Sequence, residues 1–155
     1  MIHNLNNSNS ILSNFIAEIR DHNTQKDSMR FRRNMERVGE IMAYEISKTL
    51  GYKKVDITTP LGISSSEILK NQPVLATILR AGLPFHQGFL NYFDKAESSF
   101  ISAYRKHRNS EEFDIQVEYK TSPNLEHKDL ILCDPMLATG SSMYAAYKAL
   151  LLNGK

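Results

Sequence analysis

The sequence predicts an α/β fold, with a mostly parallel sheet flanked by helices, and with amino-terminal helices and a β-hairpin ahead of it. Three observations lead there. Val74 to Leu79 and Leu130 to Cys133 are short, continuously apolar runs, as strands covered on both faces require. Segments with apolar residues at helical spacing alternate with the strands. Each apolar run also ends in a glycine-containing loop, where strand-to-helix connections of such sheets place their ligands.

The elements follow in order. Residues 1–9 are polar and rich in asparagine and read as a flexible tail. Ile11, Leu12, Phe15, Ile16 and Ile19 share one helical face, with Ser10 as the cap. Phe31, Met35, Val38, Met42 and Ile46 form a longer stripe, a helix of about five turns with Gly51 at its stop. The period then falls to two: Val55 to Thr59 alternates, Pro60-Leu61-Gly62 reads as a turn, and a second strand follows around Ile63 to Ile68. Val74 to Leu79, the loop Arg80-Ala81-Gly82 and a helix over Leu83 to Tyr92 make a strand–helix unit. Phe100 to Tyr104 is the next strand. Phe113, Ile115, Val117 and Tyr119 alternate with polar residues, as in a half-exposed strand or one arm of a hairpin. Leu130 to Cys133 delivers the chain to Asp134–Ser142. The last helix, Ser142 to Leu152, puts Met143, Ala146, Tyr147 and Leu150 on one face, and Asn153-Gly154-Lys155 reads as its stop.

At 155 residues and 41% hydrophobic, without repeat or linker, the chain reads as a single domain, 1–155. A formal charge of +2 does not suggest a non-specific nucleic-acid binder, which usually carries a larger basic excess. The basic residues cluster instead, at Arg30, Arg32, Arg33 and Arg37 and at Arg105, Lys106, His107 and Arg108, which suits a small polyanion or a partner's acidic groups. The lone cysteine, Cys133, forms no intrachain disulfide and reads as a buried strand-end residue in a reducing compartment. No apolar run approaches a membrane span, and the amino terminus lacks the pattern of a signal peptide, so a cytoplasmic location is expected.

The loop Asp134-Pro135-Met136-Leu137-Ala138-Thr139-Gly140-Ser141-Ser142 carries the clearest chemistry. A helix start offers unpaired N–H groups and the positive end of a dipole, both favourable to phosphate. Gly140 lets the backbone approach the oxygens, and Thr139, Ser141 and Ser142 add hydroxyl donors. Asp134 is badly placed beside phosphate and suits ribose hydroxyls or a magnesium-bound water. The competing reading is an ordinary strand-to-helix turn capped by Ser141 or Ser142. Neither the Walker pattern nor the dinucleotide fingerprint is present.

These residues resemble the phosphoribosyl-pyrophosphate signature of the uracil phosphoribosyltransferases. Ile78-Leu79-Arg80-Ala81-Gly82-Leu83 resembles that family's pyrophosphate loop, Tyr104-Arg105 its second arginine site, and Arg30-Phe31-Arg32 through Tyr44-Glu45 its amino-terminal helix. The matches run in order from about Leu12 to Lys155. The resemblance implies a phosphoribosyltransferase-type, Rossmann-like sheet and transfer of phosphoribosyl to uracil, giving UMP and pyrophosphate, usually with Mg2+. Arg80 and Arg105 would stabilise the leaving pyrophosphate, and Asp134 would serve the ribose or its magnesium. The alternative for Arg80 is a salt bridge, and for Arg105 simple solvation. The family dimerises and some members respond to GTP, so a homo-oligomer and a GTP effector are expected. Arg30, Arg33 and Arg37, on one helical face, are either a solvated surface or an interface or effector contact. His86 and His107 lack a second ligand at metal spacing and receive no catalytic role, and Lys106 to Glu112 would form a flap over the reaction.

Two departures stand out. Ser141 occupies a position where the family commonly has glycine, which a serine tolerates if its φ stays negative. The family's pyrimidine-recognising segment lies downstream of the phosphoribosyl loop, and nothing up to Lys155 matches it. No uracil-binding residue is named, and the chain is expected to be incomplete at its carboxyl end. Residues 1–155 alone are then expected to fold marginally and to lack turnover, because Leu130 to Cys133 would show a bare edge. The alternatives are a phosphoribosyl-pyrophosphate-binding regulator without turnover, or a phosphoribosyltransferase for another base.

Overall fold

The computed structural model describes residues 2–107 and 113–151. Helix α1 (Ile11–Arg20) starts where expected, the Ser10 hydroxyl accepting the Leu12 N–H at 3.3 Å. A 3-10 turn over Leu5–Asn7 precedes it, and Leu5 packs against the core. Helix α2 (Ser28–Ser47) is capped by Asp27, whose carboxylate accepts from the Met29 and Arg30 N–H groups at 3.0 Å. It ends ahead of Gly51, because turns at Lys48 to Leu50 close first.

Strands β1 (Tyr52–Thr59) and β2 (Gly62–Leu69) form a separate antiparallel hairpin. Its loop is Pro60-Leu61, and Gly62 belongs to the second strand, opposite Thr59. Leu69 rests on the core, while Leu61 at the tip is fully exposed.

The main sheet runs β5-β4-β3-β6. Strand β3 (Val74–Leu79) pairs in parallel with β4 (Glu97–His107) on one side and with β6 (Leu130–Cys133) on the other. Strand β5 (Phe113–Thr121) pairs antiparallel with β4, which resolves it as a hairpin arm. Strand β4 is longer than the apolar run Phe100 to Tyr104, because its polar ends are held by strand pairing.

Helix α3 (Leu83–Leu90) follows β3, and α4 (Ser141–Leu151) follows β6. The two faces of β3 divide the core. Leu75 joins Leu12, Val38, Phe85 and Phe89 beneath α1, α2 and α3, while Ala76 and Ile78 meet Ala146 and Leu150 of α4. Full burial of a residue such as Leu75 or Phe89 is worth about 1.5–3 kcal/mol, enough to fix the strand without help from surface charges.

The α2 arginines are mostly engaged inside the chain. Arg30 donates through Nε and Nη2 to both Glu18 oxygens, at 2.8 and 2.6 Å, and Asn34 Nδ2 adds a third bond at 2.6 Å. Together they hold the Glu18 carboxyl down at about 2. Arg37 donates to Asn34 Oδ1 and lies 5.1 Å over the Phe15 ring, and Arg33 pairs with Glu36. Of the arginines read as one solvated face, Arg30 and Arg33 are exposed, while Arg30 through Glu18 and Arg37 over Phe15 also clasp α1 to α2. Arg32 is exposed.

Candidate active site

Because β3, β4 and β6 are parallel, their carboxyl ends lie along one edge of the sheet. Thr77 stands opposite Cys133, and Leu79 opposite Ser102. Arg80 and Asp134 therefore leave adjacent strands at that edge. The backbone of Arg105 lies farther along β4, opposite Ile115, on the ribbon that β4 and β5 extend past β3. Its side chain lies outside the described residues, as does part of the expected flap, Lys106 to Glu112.

The first loop is tight. The Leu79–Arg80 peptide is cis, and the Gly82 N–H donates to the Ile78 carbonyl at 3.1 Å. Gly82 is buried against β3: a β-carbon there would stand 2.0 Å from Thr77 Oγ1 and 2.8 Å from the Ile78 oxygen. Arg80 itself is exposed and, among the described residues, has no ion-pair partner, so the salt-bridge alternative falls away. A guanidinium on a tight turn, without an ion-pair partner among the described residues, is equipped to take two oxygens of a phosphate.

The second loop is open. Asp134 is partly buried at the end of β6, and burial raises its carboxyl above the usual range, partly offset by the N–H of Met136. Pro135 is half-buried, and Met136, Leu137 and Ala138 are exposed. Gly140 has φ +78°, a left-handed conformation that a residue with a β-carbon adopts at a cost. The Thr139 and Ser141 hydroxyls stand 2.8 Å apart, and Thr139 Oγ1 accepts the Ser141 N–H at 3.4 Å. Thr139, and neither serine, thus turns a side chain toward the start of α4. The Gly140 carbonyl takes the first helical bond, from Tyr144 at 2.9 Å, which leaves the N–H groups of Ser142 and Met143 without an intrahelical acceptor and available to a ligand. Asp134, Thr139, Gly140, Ser141 and Ser142 line a concavity of about 140 Å³. Ser141 is not among the described residues of positive φ, so serine sits there without backbone strain.

Two other residues near the loops are quiet. His86 is buried, its Nε2 3.3 Å from the Leu75 carbonyl, and burial lowers its pKa, leaving a neutral core histidine. The Cys133 thiol is pushed up to about 12 by burial and is no nucleophile. A larger cavity of about 550 Å³ lies at His3, Leu5, Met42 and Lys48, on elements remote from the strand ends. The reading of β3 as an apolar run passes over Thr77, whose signal was a hydroxyl amid Val, Leu, Ala and Ile. Among the described residues, no group of three or more His, Cys, Asp or Glu side chains could cage a metal.

A parallel sheet whose strand ends carry an arginine turn and an acid-then-hydroxyl loop defines a phosphoribosyltransferase-type protein. Solved structures agree on the fold. A protein from Aquifex aeolicus superposes with a TM-score of 0.80 at 27% identity, over 99% of this chain and 71% of that one. A hypoxanthine phosphoribosyltransferase from Staphylococcus aureus shares the fold at 13% identity, with a TM-score of 0.54 over 79% of this chain and 58% of that one. The family model of uracil phosphoribosyltransferase matches residues 6–155. The Porphyromonas gingivalis uracil phosphoribosyltransferase is 58% identical over 94% of this chain and 67% of its own length. The chain belongs to the uracil phosphoribosyltransferase family. It spans about two thirds of the length of that relative.

Proposed function

We propose that this chain carries the phosphoribosyl half of a uracil phosphoribosyltransferase site, transferring phosphoribosyl from phosphoribosyl pyrophosphate to uracil with release of pyrophosphate. The observation that supports this best is that Arg80, without an ion-pair partner among the described residues, and the loop Asp134 to Ser142 leave adjacent parallel strands at one edge. Cleavage at the anomeric carbon leaves positive character on the ribose and extra negative charge on the pyrophosphate. Arg80, with Arg105 as the second cation, stabilises that charge more in the transition state than in the ground state. Thr139, Gly140, Ser141 and Ser142 hold the 5-phosphate at the helix start, along the wall formed by Met136, Leu137 and Ala138, with Pro135 part of the same proposed substrate loop. Asp134 takes the ribose hydroxyls.

Magnesium fits this site as an ion brought with the substrate, since it is commonly held by one or two carboxylates together with phosphate oxygens. Asp134 would hold it, and the ion would neutralise part of the pyrophosphate charge. A single domain over residues 1–155 and a cytoplasmic location stay part of this reading on length and hydropathy, and a GTP effector on the family resemblance. The engaged Arg30, Arg33 and Arg37 lend the effector no support.

A homo-oligomer is supported by the hairpin, which exposes Ile57, Leu61, Ile63 and Ile68. Lys70 donates to the Gly51 carbonyl, so alternation along the register turns the N–H and C=O groups of Lys54 and Asp56 to the free edge of β1. Two such edges meeting antiparallel about Val55 would set Lys54 against Asp56 twice.

The test is conversion of labelled uracil to UMP, given phosphoribosyl pyrophosphate and magnesium, by a protein that contains residues 1–155 together with a uracil-recognising segment. Formation of UMP with one pyrophosphate per turnover is expected. Tight binding of phosphoribosyl pyrophosphate without any UMP would favour the regulator reading, and transfer to a different base would reassign the substrate.

A further inference from the structure

Thr77 is the polar interruption of an apolar strand and is fully buried. Its hydroxyl donates to the Cys133 carbonyl at 3.2 Å, the last group of β6 before Asp134. From the other loop, the α-carbon of Gly82 closes on the same oxygen, so closely that a β-carbon would stand 2.0 Å away. One oxygen therefore touches both loops, holding the base of one by a hydrogen bond and supporting the other by contact. Core stability alone does not account for a hydroxyl here. Burying it costs free energy that a single hydrogen bond does little more than offset, and a valine of the same shape would avoid that cost.

We infer that Thr77 is a positioning residue that fixes the separation between the Arg80 loop and the Asp134–Ser142 loop, and with it the span a ligand must match to hold both. The inference rests on the reading of these loops as two halves of a phosphoribosyl-pyrophosphate pocket. A ligand that bridges two subsites gains from their fixed spacing, because engaging the first raises the effective concentration at the second. A ligand confined to one loop gains nothing from it. Phosphoribosyl pyrophosphate bridges; inorganic pyrophosphate and ribose 5-phosphate each occupy one end.

Calorimetry of these three ligands against the parent chain, Thr77→Val and Thr77→Ser tests it. In Thr77→Val, affinity for phosphoribosyl pyrophosphate falls on the order of 10-fold while pyrophosphate and ribose 5-phosphate stay within about twofold. Thr77→Ser, which keeps the hydroxyl, binds all three like the parent. Because a valine methyl faces Gly82, Thr77→Ala, which adds no atom there, repeats the measurement and gives the same pattern. Unchanged binding of phosphoribosyl pyrophosphate in both the Val and Ala variants overturns the inference, and so does a parallel loss of all three ligands, which would mark a purely structural role. If the parent chain fails to bind phosphoribosyl pyrophosphate while the fold is intact, the pocket reading falls first, and the role of Thr77 falls with it.

Discussion

After β3 the chain reaches α3 through residues 80–82, of which Gly82 is buried against the strand, whereas after β6 it takes residues 134–140, largely exposed, to reach α4. Both loops contain a glycine, for different reasons. Gly82 is glycine for space: its backbone lies on Thr77 and under the Ile78 carbonyl. Gly140 is glycine for torsion, with φ +78° and nothing nearer to a would-be β-carbon than Leu137 Cδ1 at 3.6 Å. The contrast matches the demands of the proposed ligand. A pyrophosphate carries concentrated charge and is served by a cation presented on a short, tight turn, whereas a sugar phosphate presents many polar atoms and needs a longer loop with several donors.

The largest effect that could break this contrast is at Gly82. Gly82→Ala places a β-carbon 2.0 Å from one oxygen and 2.8 Å from another, the second on the backbone, so β3 or α3 must shift. A loss near the upper end of the usual range for overpacking, about 3 kcal/mol, is expected. That corresponds to a melting temperature lower by roughly 6–12 °C. Gly140→Ala meets no wall and bears only the left-handed φ, about 1–2 kcal/mol and roughly 2–8 °C. Gly140→Asn should cost less still, since asparagine tolerates that region. Thermal unfolding of the three variants checks the ranking. If Gly140→Ala proves the more damaging, the two loops are not built as described.

A smaller effect serves as a remote control. The Glu18 carboxyl, held at about 2 against its ordinary 4.5 by Arg30 and Asn34, stabilises the fold above pH 4.5 and loses that contribution as pH falls toward about 2. Glu18→Gln should therefore lower the melting temperature slightly at pH 7, by an amount that shrinks through that acid window. Ligand binding at the loops should not change. A constant difference at every pH would mean that the clasp works by shape and not by charge.

Much of this was legible in the sequence because burial and period dictate it. The strands Val74–Leu79 and Leu130–Cys133 read as apolar runs that each end in a glycine loop, and the structure pairs them side by side. The loop Asp134 to Ser142 was legible as an order of residue types. What was hidden depends on tertiary neighbours. The polar ends of β4 are held by pairing with β3 and β5, which no local pattern announces. Arg30 and Arg37 look like a solvated face until α1 is laid across them. Thr77 looks like a tolerated polar residue until Gly82 and Cys133 are seen to meet on it.

The central claim is that the two loops grip one ligand by its two ends, the Arg80 loop taking the pyrophosphate. The most direct measurement is the affinity of Arg80→Lys for phosphoribosyl pyrophosphate and for ribose 5-phosphate, by calorimetry against the parent chain. Lysine keeps the charge but cannot supply the paired donors of a guanidinium. Loss of one charged hydrogen bond, about 1.5–3 kcal/mol, predicts phosphoribosyl pyrophosphate binding weaker by roughly 10- to 100-fold with ribose 5-phosphate unchanged. Equal affinities of variant and parent for phosphoribosyl pyrophosphate would contradict the account, and would remove Arg80 from the site.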